Sequence, residues 1–327
     1  MRFKIFTVAK NEYDLIEDFI KYYGSQFGYE NVIIIDNGST NPEVLAVYQR
    51  YKERGLTVVT ELGYQGGKQG DHFTKVMHQY KDSCDWLIGL DTDEFMVIKS
   101  LDFSCDKLAV KLEDLLSNLD QRVDQISVSK ADSYCPPDLI RTTRPVIELT
   151  RFGMSGLYHS KIFYRSSNFI TTFCGNHGGT TENNNHQFIP EIFYLHFNNT
   201  GYQRQIERAR EINIAYDYIS QSDDDLTAYR KLASNPSGTG LHRINQLRDF
   251  LKRKLSIDSF ICEAGRLPTT DELTRQPLPT EPCSAVPESD AYTRQVYDYI
   301  PVMFYHVENT DTFEILCLQQ YLVDLPD

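Results

Sequence analysis

The stretch with the densest chemistry is the apolar run Trp86 to Leu90 followed by Asp91-Thr92-Asp93-Glu94-Phe95. In an extended chain, side chains at i and i+2 lie on one side, so Asp91 and Asp93 are placed to share one divalent ion directly or through water. Hard oxygen donors of this kind suit Mg²⁺ or Mn²⁺, and such an ion bridges to diphosphate oxygens. Three carboxylates ending a buried strand also repel one another unless a cation offsets them. For an isolated D-x-D, the competing reading is an acidic turn that only closes a strand.

Other residues could join this chemistry. Lys68, just ahead of a helical stretch from Asp71 to Tyr80, could reach a phosphate, or could lie in an exposed loop. His177, in Cys174-Gly-Asn-His177-Gly-Gly, sits among glycines that allow close backbone approach to a ligand and equally describe a plain turn. A reaction that removes a proton from an acceptor hydroxyl needs a general base. Asp132 is the first candidate, and Glu148 and Glu182 are alternatives.

The surrounding pattern supplies elements to hold these groups. Ile5–Val8, the β-branched run Val32–Ile35, Thr57–Thr60 and Trp86–Leu90 read as strands. Helices fit between them, one starting at Pro42 behind an Asn41 N-cap and stopping at Gly55. Four strands alternating with three helices predict an α/β, doubly wound, mostly parallel sheet. Ligands bind such sheets beyond the carboxyl ends of the strands, where Thr7 to Glu12, Asp36 to Ser39 and Asp91 to Glu94 fall. Beyond Phe95 the spacing predicts a helix over 108–119 and strands over 125–128, 146–150, 161–164 and 192–197. Residues 134–144 and 175–186 read as loops. From Tyr202 the chain is strongly helical, with Gln203–Ser220 and Gly240–Leu255 the best segments, and Leu267–Pro287 reads as a proline-rich crossing segment. The expected organisation is a domain over 1–200 and a mainly helical C-terminal region over 201–327.

The segments Thr7-Val-Ala9-Lys-Asn11-Glu12, Ile35-Asp36-Asn37-Gly38-Ser39 and Leu90-Asp91-Thr92-Asp93-Glu94-Phe95 together resemble nucleotide-sugar glycosyltransferases of the GT-A fold, above all the group around glycosyltransferase family 92. The likeness covers residues 4 to 95, thins from 145 to 210 and is absent beyond. It implies a Rossmann-like GT-A domain, transfer of a sugar from a nucleotide diphosphate donor (a UDP-sugar first) to a glycan or other carbohydrate acceptor, and inversion at the sugar. It casts Asp91 and Asp93 as ligands of Mn²⁺ or Mg²⁺, with His196 completing the metal shell and His177 as its rival. Thr7, Ala9, Asn11, Glu12, Asp36, Asn37, Thr92 and Lys161 fall on the donor side, where Asp36 would bind the base or ribose. Asp36 could instead cap its own turn. The alternatives to an enzyme of this kind are a non-catalytic nucleotide- or glycan-binding protein of the same fold and a metal-dependent phosphohydrolase.

Composition narrows the partners. The 327 residues carry 33 Lys+Arg and 46 Asp+Glu, a formal charge of −13, which repels phosphate backbones and argues against nucleic acid. Apolar residues make up 41% and charged residues 24%, ordinary for a globular chain. No apolar run approaches the ~20 residues needed to span a bilayer. The first ten residues lack a signal-peptide pattern. Seven scattered cysteines with no C-x-x-C pair read as reduced thiols. The expectation is therefore a cytoplasmic enzyme, in the host cytoplasm if the protein is viral.

Overall fold

In the computed structural model the described residues are all except 63–68, 100–102, 135–141, 143, 156–159, 199–201, 235–240, 270–271, 273–275, 277, 282–311 and 326–327. Lys68 and most of the segments 134–144 and 267–287 therefore lie outside the described residues. The chain divides into two compact units. One comprises residues 1–135, 142–199 and 307–327, and the other 136–141 and 200–306.

The first unit opens as the spacing predicts: β1 (Phe3–Ala9), α1 (Ile16–Phe27), β2 (Val32–Asp36), α2 (Pro42–Lys52), β3 (Thr57–Thr60), α3 (Gln69–Tyr80) and β4 (Trp86–Gly89). Asn41 caps α2 through its side-chain oxygen, which accepts from Glu43 N at 2.8 Å and Val44 N at 3.4 Å. Next come β5 (Glu94–Lys99), β6 (Phe103–Ser104), α4 (Leu108–Ser117), β7 (Gln125–Ser133), α5 (Pro145–Glu148), β8 (Arg151–Ser155), β9 (Ile162–Arg165), β10 (Phe169–Thr172), β11 (Gly179–Thr181) and β12 (His186–His196). The expected strand over 146–150 is instead the short helix α5. Pro145 fixes φ at the first helical position, and Leu149 N bonds back to Pro145 O at 3.0 Å. The expected loop over 175–186 contains β11, which pairs with β10 in a two-stranded hairpin.

The main sheet runs β3-β2-β1-β4-β9-β7-β12-β5-β6, with β8 added on β7. The first four strands are mutually parallel, and β9 and β5 run against their neighbours. β7 and β12 are parallel to each other, and β7 is antiparallel to β9. One sheet edge thus gathers the carboxyl ends of β1, β2, β4, β7 and β12 together with the amino ends of β9 and β5. Those two reversed strands bring residues to the edge that an all-parallel sheet would send to the opposite one. Beneath that edge, Phe6, Ile33, Ile35, Phe73, Val76, Met77 and Leu87 pack β1, β2 and β4 against α3. On α1, Tyr23 is fully buried; its hydroxyl accepts from Met96 N at 2.8 Å and donates to Glu94 O at 3.0 Å, satisfying the start of β5.

The unit closes late in sequence. A strand β13 (Thr312–Glu314) pairs antiparallel with β8, and a helix α9 (Cys317–Asp324) follows. Gln319 of α9 donates to Val146 O at 2.9 Å and Leu149 O at 3.1 Å, clasping α5. The expected organisation places this segment in the helical region over 201–327, whereas its pairing with β8 and its clasp on α5 set it in the first unit.

The second unit contains α6 (Tyr202–Ala215), α7 (Asp225–Ser234) and α8 (Leu241–Ala264), packed through Ile206, Ala209, Leu232, Ile244, Leu247 and Leu251. Asp225 receives Arg210 at 3.1 Å and Lys254 at 3.0 Å. Cys262 is disulfide-bonded, against the expectation of uniformly reduced thiols, whereas Cys84, Cys105, Cys174 and Cys317 are free. Among the described residues no helix is long and apolar enough to cross a membrane.

Candidate functional site

The two aspartates of the D-x-D do not extend β4. The chain turns after Gly89, with Glu94 N bonded to Asp91 O at 3.1 Å and Asp91 N to Glu94 Oε2 at 2.8 Å. Strand alternation therefore does not place both carboxylates on one side, and the two groups have different neighbours. Asp91 meets Lys161 and Gln69, whereas Asp93 meets His196.

Lys161 immediately precedes β9, and that strand's reversed direction delivers its ammonium to the acidic turn. The side chain is 0% exposed, and its Nζ lies 2.8 Å from Asp91 Oδ2, 2.9 Å from Glu94 Oε2 and 2.7 Å from Gly175 O. An ammonium has three protons, and these three acceptors take them all. Burial alone would lower the Lys161 pKa, but the two carboxylates outweigh it and hold the group charged. For Asp91, burial pushes the carboxyl up and Lys161 more than reverses it, leaving Asp91 below its ordinary value. Glu94 is left with the burial cost. With 1% of its surface exposed and Asp91 beside it, Glu94 is pushed up to about 7 despite Lys161.

The second cluster comes from strand register. On β12, His196 lies opposite Glu94 of β5 on one side and Asp132 of β7 on the other. Its Nδ1 is 2.8 Å from Asp132 Oδ1 and its Nε2 is 3.6 Å from Asp93 Oδ1. Burial would lower the imidazole pKa, but Asp93 and the Asp132 hydrogen bond outweigh it and raise it. Asp132 is 1% exposed and its other oxygen is 3.0 Å from Lys130 Nζ. Asp132 is thus held between the His196 imidazole and the Lys130 ammonium.

Among the described residues no group of three His, Cys, Asp or Glu side chains is arranged to hold a metal ion. The donor chemistry still fits one in part. Asp93 Oδ1 and His196 Nε2 are 3.6 Å apart, a gap that two ligands each about 2.1 Å from a common ion span. A carboxylate behind the imidazole is the usual support for a metal-ligating histidine. Four carboxylates here (Asp91, Asp93, Glu94, Asp132) face two ammonium groups (Lys130, Lys161) and the His196 imidazole, so a cation would offset the excess.

The remaining expected residues fall on the same edge. Thr7 and Ala9 are buried near the end of β1, and the Thr7 hydroxyl is buried without a hydrogen-bond partner. Asn11 adopts a left-handed φ of 55°, and its Oδ1 accepts from Thr40 N at 2.8 Å and Asn41 N at 2.9 Å. Asp36 accepts from Ser39 N at 3.2 Å and Ser39 Oγ at 2.5 Å, so it does cap its own turn. Asn37 N continues the ladder to Ala9 O at 2.9 Å, Glu12 follows in the β1–α1 loop, and Thr92 is buried within the acidic turn. His177 is exposed on the β10–β11 turn, with Nδ1 3.2 Å from Ser160 O. Glu148 is used locally, accepting from Arg144 N at 2.7 Å, and Glu182 is an exposed residue following β11.

Sequence reasoning passed over Gln69, Gly175 and Asn176. Asn176 is fully buried with φ 54°, and its amide donates to Gly89 O and Ile162 O, both at 2.8 Å, joining the turn to β4 and β9. The Gly-Asn pair in the expected loop over 175–186 is the only sequence signal, since its partners are remote in sequence.

The sequence matches no protein-family model, and no curated protein matches it. Solved structures bear a distant likeness. The crystal structure of S. aureus TarS 1-349 aligns with a TM-score of 0.35 and 12% identity over 82% of this chain and 76% of that one. The same protein in complex with UDP gives 0.36 and 13% over 81% of each chain. Glucosyl-3-phosphoglycerate synthase from Mycobacterium tuberculosis, in complex with Mn²⁺, UDP and glucosyl-3-phosphoglycerate, gives 0.37 and 14% over 65% of this chain and 78% of that one.

Proposed function

We propose that the protein is a metal-dependent GT-A-type glycosyltransferase that moves a sugar from a nucleotide diphosphate donor, a UDP-sugar first, to a carbohydrate acceptor with inversion. The observation that carries this reading is the Asp93–His196–Asp132 chain beside the acidic turn, on the sheet edge shared by the loops after β1 and β2. In this reading Asp93 and His196 would hold Mn²⁺ or Mg²⁺, which offsets charge on a leaving diphosphate when bound. Asp132 accepts the Nδ1 proton of His196 and so keeps Nε2 turned towards Asp93. Lys161 keeps Asp91 ionised and fixed. Thr7, Asn11, Asp36 and Asn37 frame the nucleotide side. His177, exposed on the β10–β11 turn, would take the acceptor proton.

Calorimetric titration of UDP-, GDP- and dTDP-sugars, with Mn²⁺ or with EDTA, tests the reading. One nucleotide is expected to bind only with metal, and Asp93→Asn and His196→Ala are each expected to weaken it by about tenfold or more. Absence of binding by every nucleotide sugar under every metal condition overturns the proposal and moves attention to phosphoester hydrolysis.

A further inference from the structure

Gln69, the first residue of α3, joins two segments that the sequence keeps far apart. Its Nε2 donates to Asp91 Oδ1 at 2.8 Å, and its Oε1 accepts from Gly175 N at 2.9 Å. Only one amide orientation does both, because turning it over would set oxygen against carboxylate oxygen and N–H against N–H. Lys161 makes the parallel connection, from Asp91 Oδ2 to Gly175 O. The result is a closed ring, Asp91–Gln69–Gly175–Lys161, in which each member bonds to the next.

The turn at the far side of this ring is seated tightly. A Cβ on Gly70 would lie 2.7 Å from Phe173 C and Thr172 O, so α3 begins against the backbone of the turn. Phe173 is 55% exposed, and its ring lies over Gly178, where a Cβ would be 3.1 Å from Cδ2. The turn therefore offers one aromatic face and the exposed His177 from a frame tied to Asp91.

We propose that Gln69 is a positioning residue that registers the 173–178 turn on the Asp91 carboxylate, so that the donor-side carboxylate and the turn presenting Phe173 and His177 act as one unit. The link to donor binding rests on the function proposed above; the hold on the turn does not. A residue in this role must offer a donor at one end and an acceptor at the other, which excludes Glu, Met and Leu as full replacements.

The test combines amide hydrogen exchange with calorimetry of UDP and Mn²⁺ on the full chain. In Gln69→Leu, exchange at Gly175 is expected to rise about tenfold or more while β4 and β9 keep their protection. UDP–Mn²⁺ affinity is expected to fall about tenfold, as for a lost hydrogen bond to a charged group. In Gln69→Glu the carboxylate can still accept from Gly175 N but sets its other oxygen against Asp91 Oδ1, so protection at Gly175 is expected to fall by less than in Gln69→Leu. Unchanged Gly175 exchange in Gln69→Leu, equal loss in both variants, or a rise spread through β4 and β9 overturns the positioning role. So does UDP affinity within twofold of wild type in Gln69→Leu. If the wild type itself binds no UDP with Mn²⁺, the donor reading fails, and the exchange comparison alone decides whether Gln69 holds the turn.

Discussion

Glu94 gives the site a pH dependence whose sign and size follow from its position. Burial, with Asp91 adjacent, takes its carboxyl from the ordinary 4.5 to about 7. A folded-state value above the unfolded one means the native chain binds this proton more tightly. The associated stability is fully present below about pH 4.5 and is lost as pH rises through 7. At about 1.4 kcal/mol per pH unit, the loss across that window is about 3 kcal/mol. Glu94→Gln keeps an oxygen for Asp91 N and Lys161 but has no proton to lose. The unfolding free energy of Glu94→Gln minus that of wild type is therefore expected to grow by about 3 kcal/mol between pH 4.5 and 7.5. The chain's single tryptophan is Trp86, buried at the amino end of β4 in the same unit as the site, so its fluorescence in urea reports the unfolding of this unit. A difference that stays flat across the window, or that shrinks as pH rises, refutes the reasoning: Lys161 would then outweigh burial and hold Glu94 as an ordinary ion-paired carboxylate.

Further perturbations probe the same cluster. Lys161→Met leaves two carboxylates without their cation and is expected to destabilise by about 3–5 kcal/mol at pH 8. The loss should be smaller at pH 5, where Glu94 is protonated; equal loss at both values in urea melts would contradict the pairing. In Gly89→Ala the new methyl meets Asn176 Nδ2 at 2.9 Å and Met77 Cε at 3.0 Å. That overpacking is expected to cost about 1–3 kcal/mol and to loosen the 173–178 turn, read as faster exchange of the Asn176 amide.

The sequence disclosed what local chemistry controls. Unbroken β-branched runs between turn formers marked β2 and β3, and Asn41-Pro42 marked the start of α2, because propensity, cap and burial agree there. The run after Pro145 misled, since its β-branched residues suggest a strand while the proline begins a helical turn that Gln319 clasps from 173 residues away. The site divided along the same line. The acidic turn was visible as composition, but its two-sided geometry was not, because the turn depends on one backbone bond, Glu94 N to Asp91 O, and one from Asp91 N to the Glu94 carboxylate. Lys161 is 70 residues from Asp91, and Gln69 is 106 from Gly175. Such pairs exist only once β9 runs backwards and the β10–β11 turn folds against α3.

The late return of β13 and α9 bears on how the molecule is made. Thr150 and Glu314 meet across 164 residues of chain, and the intervening segment 200–306 belongs to the other unit. In order of synthesis that other unit is complete before the strand that finishes the site-bearing one has left the ribosome. A message truncated just before residue 312 would therefore strip the partner from the edge of β8 and the clasp from α5. The half of the protein that holds Asp91 and His196 would emerge with an open, adhesive sheet edge.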